Sequence, residues 1–221
     1  MGISERKARE RKELREKILQ AAEEVFVEEG YDKAKIRRIA DKIEYSPGTV
    51  YLHFKQGKDE LFYEIHARQM DRMYQRVKPL WSVAHPVERL RAFGREYVTY
   101  AIEHPKEYDL MFVSRVPMSM LHPDEKWTDV ENLYGMFQET VRQCIEGGHF
   151  PNATTLEQTC LSIWGMIHGA LTLLDRGRLA MFPQEGMPEF ILSCADRYLE
   201  VLAGANSEEG MVPGLNPGWE S

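Results

Sequence analysis

Cysteine is scarce here. Cys144, Cys160 and Cys194 are odd in number and far apart, which suits buried thiols in a reducing cytoplasm better than a disulfide framework. No apolar run approaches the roughly 18 residues that a bilayer span needs, so no membrane partner is expected. The N-terminus is charged where a signal peptide would be apolar, and a cytoplasmic location is expected. CxxC, HExxH, GxSxG and a Gly-rich phosphate loop are all missing, and Cys160 and His168 lie too far apart on one helix to chelate an ion. The expectation is therefore a protein without metal, cofactor or enzymatic activity. No segment alternates with period two long enough to argue for a strand, and no internal repeat is evident.

What is present is helical. Leu14, Ile18, Ala21, Ala22, Val25 and Phe26 recur at helical spacing, predicting a helix over 5–29 that Gly30 ends from the C′ position. Ile36, Ile39, Ala40 and Ile43 form one stripe on a second, short helix. Glu44-Tyr45 leaves room only for a turn. Ser46 is suited to N-cap a third helix with Pro47 at its first position. Two short helices joined by such a turn make a helix-turn-helix, whose second helix enters the DNA major groove.

Net charge is −7, but it is divided unevenly. Residues 1–55 carry 13 Lys/Arg against 11 Asp/Glu, and the remainder 15 against 24, which fits a DNA-binding head on an acidic body. A long helix is predicted over 58–81, followed by segments at 86–103, 105–114, 124–147, 153–180 and 187–203, punctuated by Pro and Gly-Gly. The chain thus reads as all-α, with about nine helices. Residues 1–57 form the head, 58–204 an effector-binding and dimerisation body, and 205–221 a Gly/Pro-rich tail expected to be disordered.

The runs Ala34 to Ala40, Ser46 to Phe54 and Lys58 to Leu61 resemble the N-terminal DNA-binding domain of TetR-family transcriptional regulators. Three departures stand out. Glu44 occupies the usual turn Gly, so either it takes the turn, with a positive φ costing about 1 kcal/mol, or the turn is reshaped. Lys35 replaces the Thr or Ser cap. One extra residue separates Phe54 from Lys58. The resemblance implies operator contacts from Lys35, Arg37, Ser46, Pro47, Gly48, Thr49, Tyr51, Leu52, His53 and Lys58. Among these, Arg37 is suited to guanine O6/N7 and the Thr49 methyl to a thymine methyl. Trp164 to Gly169, together with His104 to Phe112, resembles the WHG-motif body found in part of that family.

The resemblance also places a pocket for a small hydrophobic effector inside the body. Tyr97, Tyr100, Phe112, Trp127, Tyr134, Phe137, Trp164 and His168 are the candidate walls, and ordinary core is the competing reading of each. The segments 153–180 and 187–203 are apolar on more than one face. With Gly165 and Gly169 permitting close approach, Leu161, Leu171, Ile191, Cys194, Tyr198 and Leu202 are expected at a four-helix homodimer interface. Two heads related by a two-fold axis would read a palindromic double-stranded operator. The expected function is that of a ligand-responsive repressor released from DNA by its effector. Two alternatives stay open: an effector-independent dimeric DNA-binding protein, and an all-α binder or enzyme with a vestigial head.

Overall fold

The computed structural model describes residues 3–114, 132–182 and 184–204. Helix α1 (Ile3–Glu29) buries Ile18, Ala21, Ala22, Val25 and Phe26, the stripe expected from its periodicity. It stops at Gly30, whose φ of 78° lets its N–H reach back to the Phe26 carbonyl at 2.9 Å. Helix α2 (Ile36–Lys42) follows with Lys35 at its N-cap, where no side chain closes the first turn. Helix α3 (Pro47–His53) is capped as predicted, the Ser46 hydroxyl accepting from the Thr49 N–H at 3.2 Å.

The turn between α2 and α3 settles the question raised by Glu44. It keeps its geometry and Glu44 takes it, with φ at 63°, the sole non-glycine residue of positive φ among those described. Nothing in the turn needs the carboxylate, which is exposed. Glu44→Gly is therefore expected to raise stability by about 1 kcal/mol, by removing the Cβ clash of a left-handed residue. A urea midpoint unchanged or lowered in that variant would show that the strain is relieved elsewhere.

Helix α4 (Lys58–Val77) runs beside α1 and is tied to it by charge. Arg15 pairs with Glu64, Arg68 with Glu16 at 2.7 Å, and Arg72 with Glu23. The predicted 58–81 helix ends early, because Pro79 supplies no N–H to the α pattern and Lys78–Ser82 tightens into a 3₁₀ turn. Beyond it lie α5 (Pro86–Glu103), α6 (Pro105–Tyr108), α7 (Leu133–Glu146), α8 (Leu156–Asp175) and α9 (Met187–Leu202). Among the described residues there are nine α-helices and no strand. The 105–114 segment is not one α-helix: α6 passes into a π turn at Asp109–Val113, closed by the Ser114 N–H on the Asp109 carbonyl at 2.7 Å. The expected start of α7 at 124 and the 205–221 tail lie outside the described residues.

Buried side chains gather in two clusters. One holds the apolar faces of α1–α3 with Leu61, Phe62 and Ile65 from the first turns of α4. The other packs the later turns of α4 with α5, α7, α8 and α9. A single residue departs from this division. Leu110, in the π turn, is 2% exposed and packs into the first cluster, while its neighbour Met111 belongs to the second.

Candidate nucleic-acid interface and ligand cavity

Helix α3 lies outermost on the helix-turn-helix because its own apolar residue, Val50, is buried while its other side is open. Tyr51 is 50% and Leu52 73% exposed, and Ser46, Pro47 and Gly48 stand exposed at its first turn. The Tyr51 ring lies over Gly57, which has a φ of 65° and where an added Cβ would come within 2.9 Å of that ring. Lys35 is exposed, and the Arg37 side chain is 85% exposed with only a 3.9 Å ion pair to Asp41. Thr49 is half-buried, its hydroxyl 3.1 Å from that of Ser46.

Two of the sequence-derived candidates are recessed. His53 turns toward α1, where its Nδ1 is buried without a partner. Burial, with Arg11 and Arg15 close by, keeps its pKa below the ordinary value. Lys58 donates to the Tyr31 carbonyl at 2.9 Å and sits 4.2 Å over the Tyr31 ring, so its ammonium is already engaged. Tyr45 and Lys55, passed over in the sequence, stand exposed two residues before and two residues after α3.

Within the body lies a cavity of about 530 Å³. Tyr97, Phe112, Tyr134, Phe137 and Trp164, all candidates from the sequence, line it, and α4 and α5 add His66, Met70, Leu90, Phe93 and Gly94. Met111, Ser114, Leu133, Ile163 and Ile167 complete the described walls. Two expectations need correction. Tyr100 is buried against the Met111 sulfur, 3.5 Å from its hydroxyl, and is not on the wall. His168 stands behind the wall, its Nδ1 2.6 Å from the Tyr108 hydroxyl and 3.2 Å from that of Tyr97. Each lies about one helical turn along from a wall residue, and spacing does not tell how far a cavity reaches along a helix. Trp127 lies outside the described residues. His66 was legible only as a polar break in the apolar stripe of α4.

Polar groups at the cavity are few and neutral. The Trp164 indole N–H donates to the Tyr97 hydroxyl at 3.1 Å. Burial pushes the Tyr97 pKa up to about 12 and raises that of Tyr108 further. Burial lowers both His66 and His168, while the Met111 backbone carbonyl accepts from His66. Cys144 and Cys160 are buried thiols pushed up to about 12 and about 11, so neither is a nucleophile at neutral pH. Among the described residues no group of three or more His, Cys, Asp or Glu is placed to hold a metal.

His66 makes a pH dependence. Its folded pKa lies below the ordinary 6.5, so below that pH the unfolded chain binds more protons than the folded one. Stability should therefore fall as pH drops through 6.5, by up to about 1.4 kcal/mol per pH unit, until the lowered pKa is reached. Urea midpoints at successive pH values between neutrality and mild acid measure this, and His66→Gln should reduce the slope, the remainder coming from His53 and His168, which burial also lowers. An equal slope in the variant would assign the loss to other groups.

A third feature is an exposed apolar face on α8 and α9. Leu161 is 66% exposed, and Trp164, Gly165 and Leu173 follow it along α8, with Phe190, Cys194 and Val201 along α9. Nothing lies within 4 Å of a Cβ built at Gly165 or Gly169. Of the residues expected at a dimer interface, Leu161 and Cys194 are exposed and Tyr198 is half-buried. Leu171, Ile191 and Leu202 are corrected: they are buried in the chain's own core, against which α8 and α9 pack their other faces.

No helix among the described residues is long and apolar enough to cross a membrane. The family model described as "Bacterial regulatory proteins, tetR family" matches residues 18–65, and "Tetracyclin repressor-like, C-terminal domain" matches residues 90–193. The transcriptional regulator HbdR of Aromatoleum sp. (strain CIB) is 27% identical over 185 residues, 79% of this chain and 78% of that protein. The transcriptional repressor AcnR of Corynebacterium efficiens is 28% identical over 123 residues, 54% of this chain and 58% of its own. The crystal structure of the TetR-family regulator PfmR of Thermus thermophilus superposes with a TM-score of 0.57 at 22% identity, covering 83% of this chain and 97% of that one, a likeness of fold. A two-part match in chain order, on an outward helix-turn-helix and a helical body, leads to one assignment: the chain belongs to the TetR family of bacterial regulatory proteins, DNA-binding regulators of transcription.

Proposed function

We propose that this protein is a cytoplasmic homodimeric repressor whose head, residues 1–57, binds a palindromic operator and whose body, residues 58–204, lowers that affinity when a small hydrophobic effector fills the cavity. Arg37 and the first turn of α3 read base edges, with Thr49 and Tyr51 beside them. Lys35, Ser46, Pro47, Gly48 and Leu52 set the approach to the backbone, and His53 and Lys58 join only after local rearrangement. The exposed face of α8 and α9 pairs two copies and so sets the spacing of the heads.

The observation that carries the ligand-responsive reading is the π turn. Leu110 packs in the head cluster, and the next two residues, Met111 and Phe112, line the cavity. A molecule that displaces Phe112 shifts the segment that holds Leu110, so it binds the two head positions unequally, as coupling requires. That cavity favours this reading over an effector-independent dimer, whose body would need only to be packed. The experiment is a gel shift with the DNA upstream of the protein's own gene, at about 0.15 M salt. The parent should bind that DNA above random DNA. Arg37→Ala should cost roughly tenfold to a hundredfold at particular base pairs, with random-DNA affinity little changed. No binding, or an operator preference untouched by the substitution, would sink the assignment, as a vestigial head predicts.

A further inference from the structure

We propose that the cavity takes an uncharged, ring-bearing molecule whose polar handle is a hydrogen-bond acceptor, such as a ketone or ester carbonyl, seated on the Tyr97 hydroxyl. This rests on the cavity being the effector site and deepens it to a chemical class. The starting point is a count of protons. A phenol has one O–H to give and two lone pairs to fill. On Tyr97 one lone pair is filled by the Trp164 indole N–H at 3.1 Å. The proton has two neighbours among the described residues, His168 Nδ1 at 3.2 Å and the Tyr108 oxygen at 3.4 Å.

Neither neighbour accepts it well, whichever tautomer His168 adopts. If Nδ1 is bare, its single lone pair goes to the Tyr108 hydroxyl, which is much closer at 2.6 Å. If Nδ1 carries hydrogen, it accepts nothing. Either way the Tyr97 proton is left with the Tyr108 oxygen at 3.4 Å, beyond the roughly 2.5–3.0 Å range of an O–H···O bond. Tyr97 is buried and lines the cavity, and among the described residues its proton has only these long contacts, so an acceptor on a bound molecule would give it a shorter one.

The remaining walls say what that molecule is. Phe93, Phe112 and Phe137 offer ring faces and edges from three different elements, with Ile163 on a fourth, the arrangement that seats an aromatic ring. No Lys, Arg, Asp or Glu lines the cavity among the described residues, and burial holds His66 neutral with its N–H given to the Met111 carbonyl. A carboxylate placed there would surrender its hydration to a wall without a counter-charge. A carbonyl meets both demands, because it carries no charge and can accept the proton that the described residues hold only at 3.2 to 3.4 Å.

Isothermal titration of the full chain, without DNA, tests this with three probes of one shape. They are 2-acetylnaphthalene, the 2-naphthoate anion at pH 8, and 2-ethylnaphthalene, which has no acceptor. The ketone should bind about tenfold more tightly than the ethyl compound, and the anion at least a hundredfold more weakly than the ketone. Tyr97→Phe should erase the ketone's advantage while leaving 2-ethylnaphthalene unchanged. The proposal is overturned by naphthoate binding as tightly as the ketone, by an advantage that survives Tyr97→Phe, or by no binding of any probe to folded protein. Operator binding is scored separately by gel shift, so a protein that ignores DNA yet follows this series would lose the repressor reading and keep the ligand class.

Discussion

Replacing Leu161 by aspartate is expected to yield a folded monomer that binds operator DNA at least a hundredfold more weakly than the parent. The side chain is 66% exposed in the single chain, so the charge meets water there and folding loses little beyond helix propensity. In the proposed dimer the same position lies on the apolar seam with Trp164, Gly165 and Leu173. The two-fold axis doubles every effect, since each copy buries an unpaired carboxylate against the other. Loss of the dimer separates two heads that otherwise reach a palindrome at an effective concentration of the order of millimolar. Light scattering after size exclusion reads the mass, and a gel shift reads the affinity. Leu171→Asp is the contrasting variant: buried in the chain's own core, it should unfold the protein rather than dissociate it. A Leu161→Asp protein that stays dimeric with full operator affinity would place the interface elsewhere.

Leu110→Ala should cost about 2–5 kcal/mol of stability, the range for truncating a buried leucine. It should also weaken the response of operator binding to any effector. Beyond α4, Leu110 is the one described residue buried in the head cluster. Its segment is held on the far side by Asp109, which accepts from the Ser114 hydroxyl at 2.8 Å and pairs with Arg176 at the end of α8. The π turn therefore touches the head core, the cavity wall and the root of the α8 face within five residues. Shortening Leu110 leaves a void that the head can close without moving when Phe112 moves. Urea unfolding gives the first quantity, and operator titration with and without a bound probe gives the second. Stability within about 0.5 kcal/mol of the parent, or full effector release, would remove Leu110 from the coupling.

Much of the head was legible because its signals are local. Ser46 before Pro47 announced the cap of α3, Gly30 the end of α1, and the Ile36, Ile39, Ala40 and Ile43 spacing the inward side of α2, where Ile39, Ala40 and the C-cap Ile43 are buried and Ile36 half-buried. The body was legible in helix number but not in phase. α8 is apolar on two sides, so Leu161 and Leu171 looked alike, yet one faces out and the other in. The family resemblance placed a pocket in the body, and the aromatic candidates named five of its walls. It offered no way to separate Tyr97, on the wall, from Tyr100, three residues along and packed away from it.

Sequence alone determined the all-helical class and the Ser46-capped helix after a two-residue turn, because each follows from contacts within a few residues. The tertiary structure alone decided which side of α8 is free, that Leu110 crosses into the head, and that the Tyr97 hydroxyl has His168 and Tyr108 at 3.2 and 3.4 Å. Those depend on distances between groups up to 71 residues apart, such as Tyr97 and His168, which no local periodicity encodes.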